Sequence, residues 1–150
     1  MHNHKPKTAI FRITKSEINQ FAVFEENYKN IDGQFNVKSS ITFNFDVFSS
    51  ILSCACLVNC YKDDLLVVKA EVTLCYELSK ETIADMTNAN GIVIPKELLV
   101  YFGSNTYSTL RGVVMAKLES TQVRLTLPLE NLSKLITQNL SVDIPGNISE

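Results

Sequence analysis

Between Gln34 and Leu78 the chain alternates apolar and polar residues. Phe35, Val37, Ile41, Phe43, Phe45 and Val47 fall on one side, with Gln34, Asn36, Lys38, Ser40, Thr42, Asn44 and Asp46 on the other. Successive side chains leave a pleated strand on opposite faces, so this period of two predicts a half-buried strand. The pattern returns from Leu66 to Leu78, where Leu66, Val68, Ala70, Val72, Leu74, Tyr76 and Leu78 share a face. Ile51 to Tyr61 lies between, rich in Leu, Val and Cys and closed by the turn residues Lys62-Asp63-Asp64. The three stretches predict an antiparallel meander with one apolar face that needs a cover. Its first turn has two candidate sites, Asn44-Phe45-Asp46 and Ser49-Ser50.

Phe11 to Glu25 reads as an additional strand with a change of parity. Phe11 and Ile13 share a face, Phe21 and Val23 share one, and Ile18 breaks the alternation. A bulge near Lys15 to Glu17 accounts for this, and bulges favour sheet edges. Glu26 to Gly33 is a loop with Asp32-Gly33 as its turn chemistry. After Leu78 a polar connection runs to Gly91, with one helical turn around Thr82 to Met86.

Pro95 suits the first position of a helix, where its missing N–H has no partner to lose. Leu98, Leu99, Phe102, Thr106, Leu110, Val113, Val114 and Leu118 then follow helical spacing, predicting a long helix from Pro95 to about Glu119. A second stripe on it, Ser104, Ser108, Gly112 and Ala116, is made of small side chains. Either it packs tightly on the helix's own sheet or lies at the surface, or it lets a helix of another subunit approach closely. A strand-like bridge, Gln122 to Leu127, leads through Pro128 to a second helix over about Leu129 to Asn139. Residues 1–9 read as a flexible N-terminus, 10–140 as a single domain and 141–150 as a C-terminal tail.

Composition narrows the function classes. The 150 residues are 45% hydrophobic, enough for a core, and the net charge of -2 argues against a general nucleic-acid binder. No apolar run approaches the roughly 20 residues that span a bilayer, and the start lacks a signal-peptide core, so no membrane insertion is expected. Four cysteines on strand-like stretches fit a reducing compartment, and the expected location is cytoplasmic.

Candidate chemistry is sparse. The five glycines are scattered and form no phosphate loop, and both histidines, His2 and His4, precede residue 5. Histidine-dependent catalysis is not expected, nor is a cofactor. Cys54, Cys56 and Cys60 share parity, as small buried hydrophobes or as three ligands of a zinc site that needs a fourth. Asp63 with Asp64, and Glu25 with Glu26, read as solvated charges. The chain is not expected to be an enzyme.

The order of elements resembles the SecB family of protein-export chaperones. Local matches are Phe11-Arg12-Ile13, Val23-Phe24-Glu25, Val37-Lys38, Glu71-Val72 and above all Leu125-Thr126-Leu127-Pro128-Leu129-Glu130-Asn131-Leu132. The last is similar to the family's Leu-x-Leu-x-Pro-x-Asn-Phe bridge into its final helix. The resemblance implies an α+β fold: a four-stranded antiparallel sheet, built from the bulged first strand and the meander, covered by a long and a short C-terminal helix. It also implies a homotetramer, a dimer of dimers joined through the long helix, that holds unfolded polypeptide clients in apolar grooves without ATP. Client contacts would fall on Phe35, Val37, Ile41 and Phe43, on Met86, and on Leu132, Leu135 and Ile136; each also reads as plain core. Glu25 and Glu71 match acidic positions where the family docks its translocation motor, but Lys69 replaces an apolar residue and Phe21 an acid. The segment Thr137 to Glu150 does not match the family's motor-binding tail. These departures favour a SecB-like chaperone with another dedicated partner, such as the antitoxins that some members protect. Two other readings remain: an interaction module for one folded partner, and a small enzyme or ligand binder using the sheet's apolar face as a pocket.

Overall fold

The computed structural model describes residues 8–28 and 35–145. The turn expected at Asp32-Gly33, both histidines and Gly146 lie outside them. Four long strands form the main sheet: β1 Phe11–Val23, β2 Phe35–Asp46, β3 Ile51–Lys62 and β4 Leu65–Leu78, in the order β1-β4-β3-β2 with every pair antiparallel. The meander is as predicted, and β1 closes back beside β4, so β1 and β2 are the edges.

Turn chemistry fixes the register. Asp63 and Asp64 both adopt positive φ, 50° and 64°, the mirror-image turn whose twist suits a two-residue hairpin. Of the two candidate sites between β2 and β3 the second is used. The Asp46 carboxylate there accepts hydrogen bonds from the Phe48 N–H at 3.0 Å and the Ser49 hydroxyl at 2.9 Å. Bonds from Ser49 first and Phe48 second hold its pKa below the usual carboxylate value. In β1 the register shifts twice, between Ile13 and Lys15 and between Ile18 and Gln20. The two irregularities flank the single bulge expected and return Ile18, Phe21 and Val23 to the inner face.

A connecting helix α1, Lys80–Met86, begins at Ser79, whose hydroxyl accepts the Thr82 N–H at 3.1 Å. Two short strands follow, β5 Thr87–Asn88 and β6 Gly91–Ile94, and the long helix α2 spans Lys96–Leu118. Pro95 stands one position outside α2 with an extended backbone. Having no side-chain donor or acceptor, it leaves the helix start to Asn139, whose Oδ1 accepts the Lys96 N–H at 2.8 Å. At the other end the Arg124 guanidinium donates to the carbonyls of Leu118, at 3.0 Å, and Thr121, at 2.6 Å. One N–H at the start of α2 and its last carbonyl are thus paired by the chain that returns along it.

The core lies between α2 and the inner faces of β3 and β4. Cys54, Cys56 and Cys60 are buried there among Leu52, Val58, Val72 and Leu110. Their small thiols let the helix sit close, with Cys56 Sγ 3.9 Å from the Gly103 carbonyl oxygen. Tyr76 stacks on Phe102 at 4.2 Å, and its hydroxyl lies 2.9 Å from Thr106 Oγ1 and 3.1 Å from the Phe102 carbonyl. Burial pushes the Tyr76 phenol up to about 12.

The second helix is shorter than its apolar spacing predicts. Only α3, Leu132–Leu135, is helical, and the chain opens at Ile136 into an extended backbone. It then forms β7, Leu140–Val142, which pairs with β6 where a tail was expected to begin. Strands β5, β6 and β7 make a small second sheet over the start of α2.

Candidate polypeptide-binding groove

The return segment from Leu118 to Leu140 runs back along α2 between the helix and β2. It is extended over most of its length, and its carbonyls are held by side chains rather than by a neighbouring strand. The Tyr28 hydroxyl donates to the Arg124 carbonyl at 3.3 Å, Arg111 Nε to Leu127 at 3.2 Å, and the Tyr107 hydroxyl to Pro128 at 2.8 Å. Burial first, and Glu130 second, push the Tyr107 phenol up to about 12. Ser39 on β2 reaches Glu130 at 3.5 Å, which ties the segment to the strand. Asn131 opens α3 by accepting the Ser133 N–H at 3.2 Å.

Beside this strap, β2 is an open edge. Its twelve residues pair with β3 in one unbroken register. Among the described residues no backbone bond joins its other side. Edge strands are usually blunted by bulges or by lysines set against incoming chains. The opposite edge β1 has both devices; β2 has no bulge, and its Lys38 folds over the Tyr61 ring at 5.4 Å. Its inner residues Phe35, Val37, Ile41 and Phe43 are only partly covered.

The structure divides the predicted client residues. Ile41 and Phe43 line a cleft of about 450 Å³ with Leu135, which is 48% exposed. Ile136 also lines this cleft, although it is only 8% exposed and, with Leu132 at 3%, packs onto Gly103. A Cβ at Gly103 would stand 3.0 Å from Ile136 Cδ1, 3.3 Å from Leu132 Cδ1 and 3.7 Å from Ile41 Cδ1. A side chain there would make Ile136 and Leu132 give by a few tenths of an ångström, because α3 and β2 both meet α2 at this point. Leu132 thus packs as core, Ile136 belongs both to that core and to the cleft wall, and Leu135 is the more exposed of the three. Phe35 lies further along the groove, stacked with Tyr28 at 5.9 Å, with the buried Lys62 amino group 4.7 Å from the Tyr28 ring. Met86 is not brought to this cleft. It lines a separate hollow of about 490 Å³ with Leu98 and Tyr101 on the opposite flank of α2.

The acidic pair is not brought together either. Glu25 Oε1 accepts the Gln122 N–H at 2.8 Å and so anchors the start of the return segment. Glu71 lies on the outer sheet face, in register with Leu57 and Gln20. The small stripe of α2 faces solvent: Ser104, Ser108, Gly112 and Ala116 are all exposed, and nothing lies within 4 Å of a Cβ placed on Gly112. Packing on its own sheet is thereby excluded. Sequence reasoning missed the capping role of Glu25 and Asn139, whose partners lie 97 and 43 residues away.

No protein-family model matches the chain, and no curated protein matches it in sequence. Among solved structures it is similar to Mycobacterium tuberculosis Rv1957, a SecB-like chaperone in complex with a ChAD peptide from the Rv1956 HigA1 antitoxin. That likeness covers 81% of this chain and 88% of the other, with a TM-score of 0.50 and 11% identity. The fold is SecB-like. A protein of unknown function from Streptococcus agalactiae is also similar, at TM-score 0.36 and 11% identity, covering 83% of this chain and 99% of that one. The SecB-like architecture agrees with the element order from which the resemblance was read. Among the described residues no helix is long and apolar enough to cross a membrane.

Proposed function

We propose that this protein is a chaperone that holds extended, non-native polypeptide against β2 without nucleotide. The observation that carries the reading is the twelve-residue, unbulged edge of β2, with a partly covered apolar face opening into the Leu135 cleft. An extended chain can pair with that edge through its backbone and place alternate apolar side chains in the groove, with little demand on sequence. Burying roughly 400 Å² of apolar area gains about 10 kcal/mol gross. Ordering the client removes much of this, so several grooves on one assembly add avidity. The exposed stripe of α2 supports a homo-oligomer joined helix to helix. Ile13 and Ile18 on the inner face of β1, 54% and 49% exposed, are further apolar surface for a subunit to cover. The proposal places the protein in the cytoplasm and gives it no catalytic role.

A second reading is favoured by the antitoxin peptide bound to Rv1957: one dedicated peptide partner, with no part in general export. Suppression of light scattering separates the two. At near-stoichiometric amounts and without nucleotide, the protein is expected to keep a denatured unrelated protein from aggregating on dilution. Failure of folded, oligomeric protein to do so removes the general holdase and leaves the dedicated partner.

A further inference from the structure

The small sheet has an asymmetric construction. In β6, Gly91, Ile92 and Ile94 are buried, whereas β7 is only half-buried and three residues long. Register pairs Ile92 with Val142, Val93 with Ser141 and Ile94 with Leu140. The apolar core of this sheet therefore belongs to β6, and β7 contributes a backbone with two apolar side chains at alternate positions. Gly91, at φ 139°, fits that backbone closely, because a Cβ there would collide with the Val142 carbonyl oxygen. Leu140 also lines the cleft that holds Ile41, Phe43 and Leu135. The C-terminal strand thus occupies the end of the groove in the form an extended client would take.

We propose that the edge of β6 is a second strand-receiving site, filled in the free protein by Leu140–Val142 and taken over by a bound polypeptide with apolar residues at alternate positions. This rests on the reading of the groove as a binder of extended chain and adds how its far end is controlled. A three-residue strand at the edge of a small sheet belongs to the low-stability part of a fold, where local opening is frequent. An incoming strand supplies the same backbone bonds, so the exchange is close to balanced. Side chains entering the cleft that Leu140 leaves tip it toward the client. The site selects a strand about five residues long with apolar groups two apart, as in Leu140, Val142 and Ile144.

A reversible lock tests this. Val93→Cys with Ser141→Cys places cysteines at directly paired positions, where antiparallel Cα separations of about 4.5–5.5 Å suit a disulfide. The probe is reduced, carboxymethylated α-lactalbumin, which stays unfolded without aggregating. The oxidised variant is expected to bind it at least tenfold more weakly than wild type and to recover on reduction. Val142→Asp, which loosens β7 from Ile92, is expected to bind several-fold more tightly. Equal affinity of the oxidised and reduced forms, with the cross-link confirmed by mass and the circular dichroism unchanged, overturns the proposal. Failure of wild type to bind the probe overturns the groove reading itself, and this proposal with it.

Discussion

Leu135 and Ile136 are neighbours in sequence that share a cleft but differ in burial, 48% against 8% exposed, and replacing each by aspartate weighs groove against core. Ile136 is 8% exposed and rests on the α2 backbone at Gly103. Removing its side chain forfeits about 1.5–3 kcal/mol of burial, and the cavity left behind adds to that. The new carboxylate gives up the apolar contact at Gly103 and must turn toward water in the hollow that Ile136 shares with Lys96 and Thr137. With only one turn of helix, α3 reaches it by swinging out and uncovering Leu132. A loss of about 3–4 kcal/mol is expected for Ile136→Asp, a large share of the roughly 5–15 kcal/mol that holds a domain together. At about 2–4 °C per kcal/mol for a chain of this size, Tm falls by roughly 6–16 °C. Leu135 is 48% exposed, so Leu135→Asp costs less than about 1 kcal/mol while putting a charge in the cleft. Urea unfolding followed by circular dichroism reads the first effect, and fluorescence anisotropy of a labelled unfolded probe reads the second. Weakened binding is expected from Leu135→Asp at nearly unchanged stability. The reasoning is refuted if Ile136→Asp keeps wild-type stability, or if Leu135→Asp binds the probe as wild type does.

Gly112→Leu fills the exposed stripe of α2 and is expected to lower the mass of the assembly in light scattering with the circular dichroism intact; an unchanged mass makes the stripe plain surface. Ellman's reagent is expected to find one fast thiol in the native protein, the partly exposed Cys75, and four after denaturation, since Cys54, Cys56 and Cys60 are buried. Two or more fast thiols would place one of the three outside the core. Alkaline stability follows Tyr76 and Tyr107, whose phenols are raised from 10 to about 12. Their contribution is present below pH 10 and lost as pH rises from 10 to about 12, because the fold favours the neutral phenol. Phenolate absorbance at 295 nm should show two late tyrosines in the native state, and five titrating near pH 10 would remove those hydroxyls from the core.

Much of the main sheet was legible because its determinants are local. Side-chain parity orients β2, β3 and β4, and Asp63-Asp64 sets a turn within two residues. The groove was legible only in part, because its walls depend on contacts between distant residues. Leu132, Leu135, Ile136 and Leu140 follow helical spacing, yet helix ends at Ile136, since the chain must cross to pair with Ile94. Strand β6 was hidden because four residues, Gly91–Ile94, carry too short a pattern beside a polar connection and a proline. Glu25, expected as a partner-facing acid, also accepts the Gln122 N–H, a contact across 97 residues that side-chain parity does not show.

The same distance dependence bears on how the groove works. Its floor, β2, is fixed by a hairpin of high local order, whereas its lid is fastened at separate points, Glu25 to Gln122, Arg111 to Leu127, Tyr107 to Pro128 and Asn139 to Lys96. Each of these bonds is worth about 1 kcal/mol net, and the buried side chains of Val123, Leu127, Leu132 and Ile136 hold the lid as well. On the proposed reading a client therefore enters where that packing is thinnest, at Leu135, 48% exposed, and at the half-buried β7.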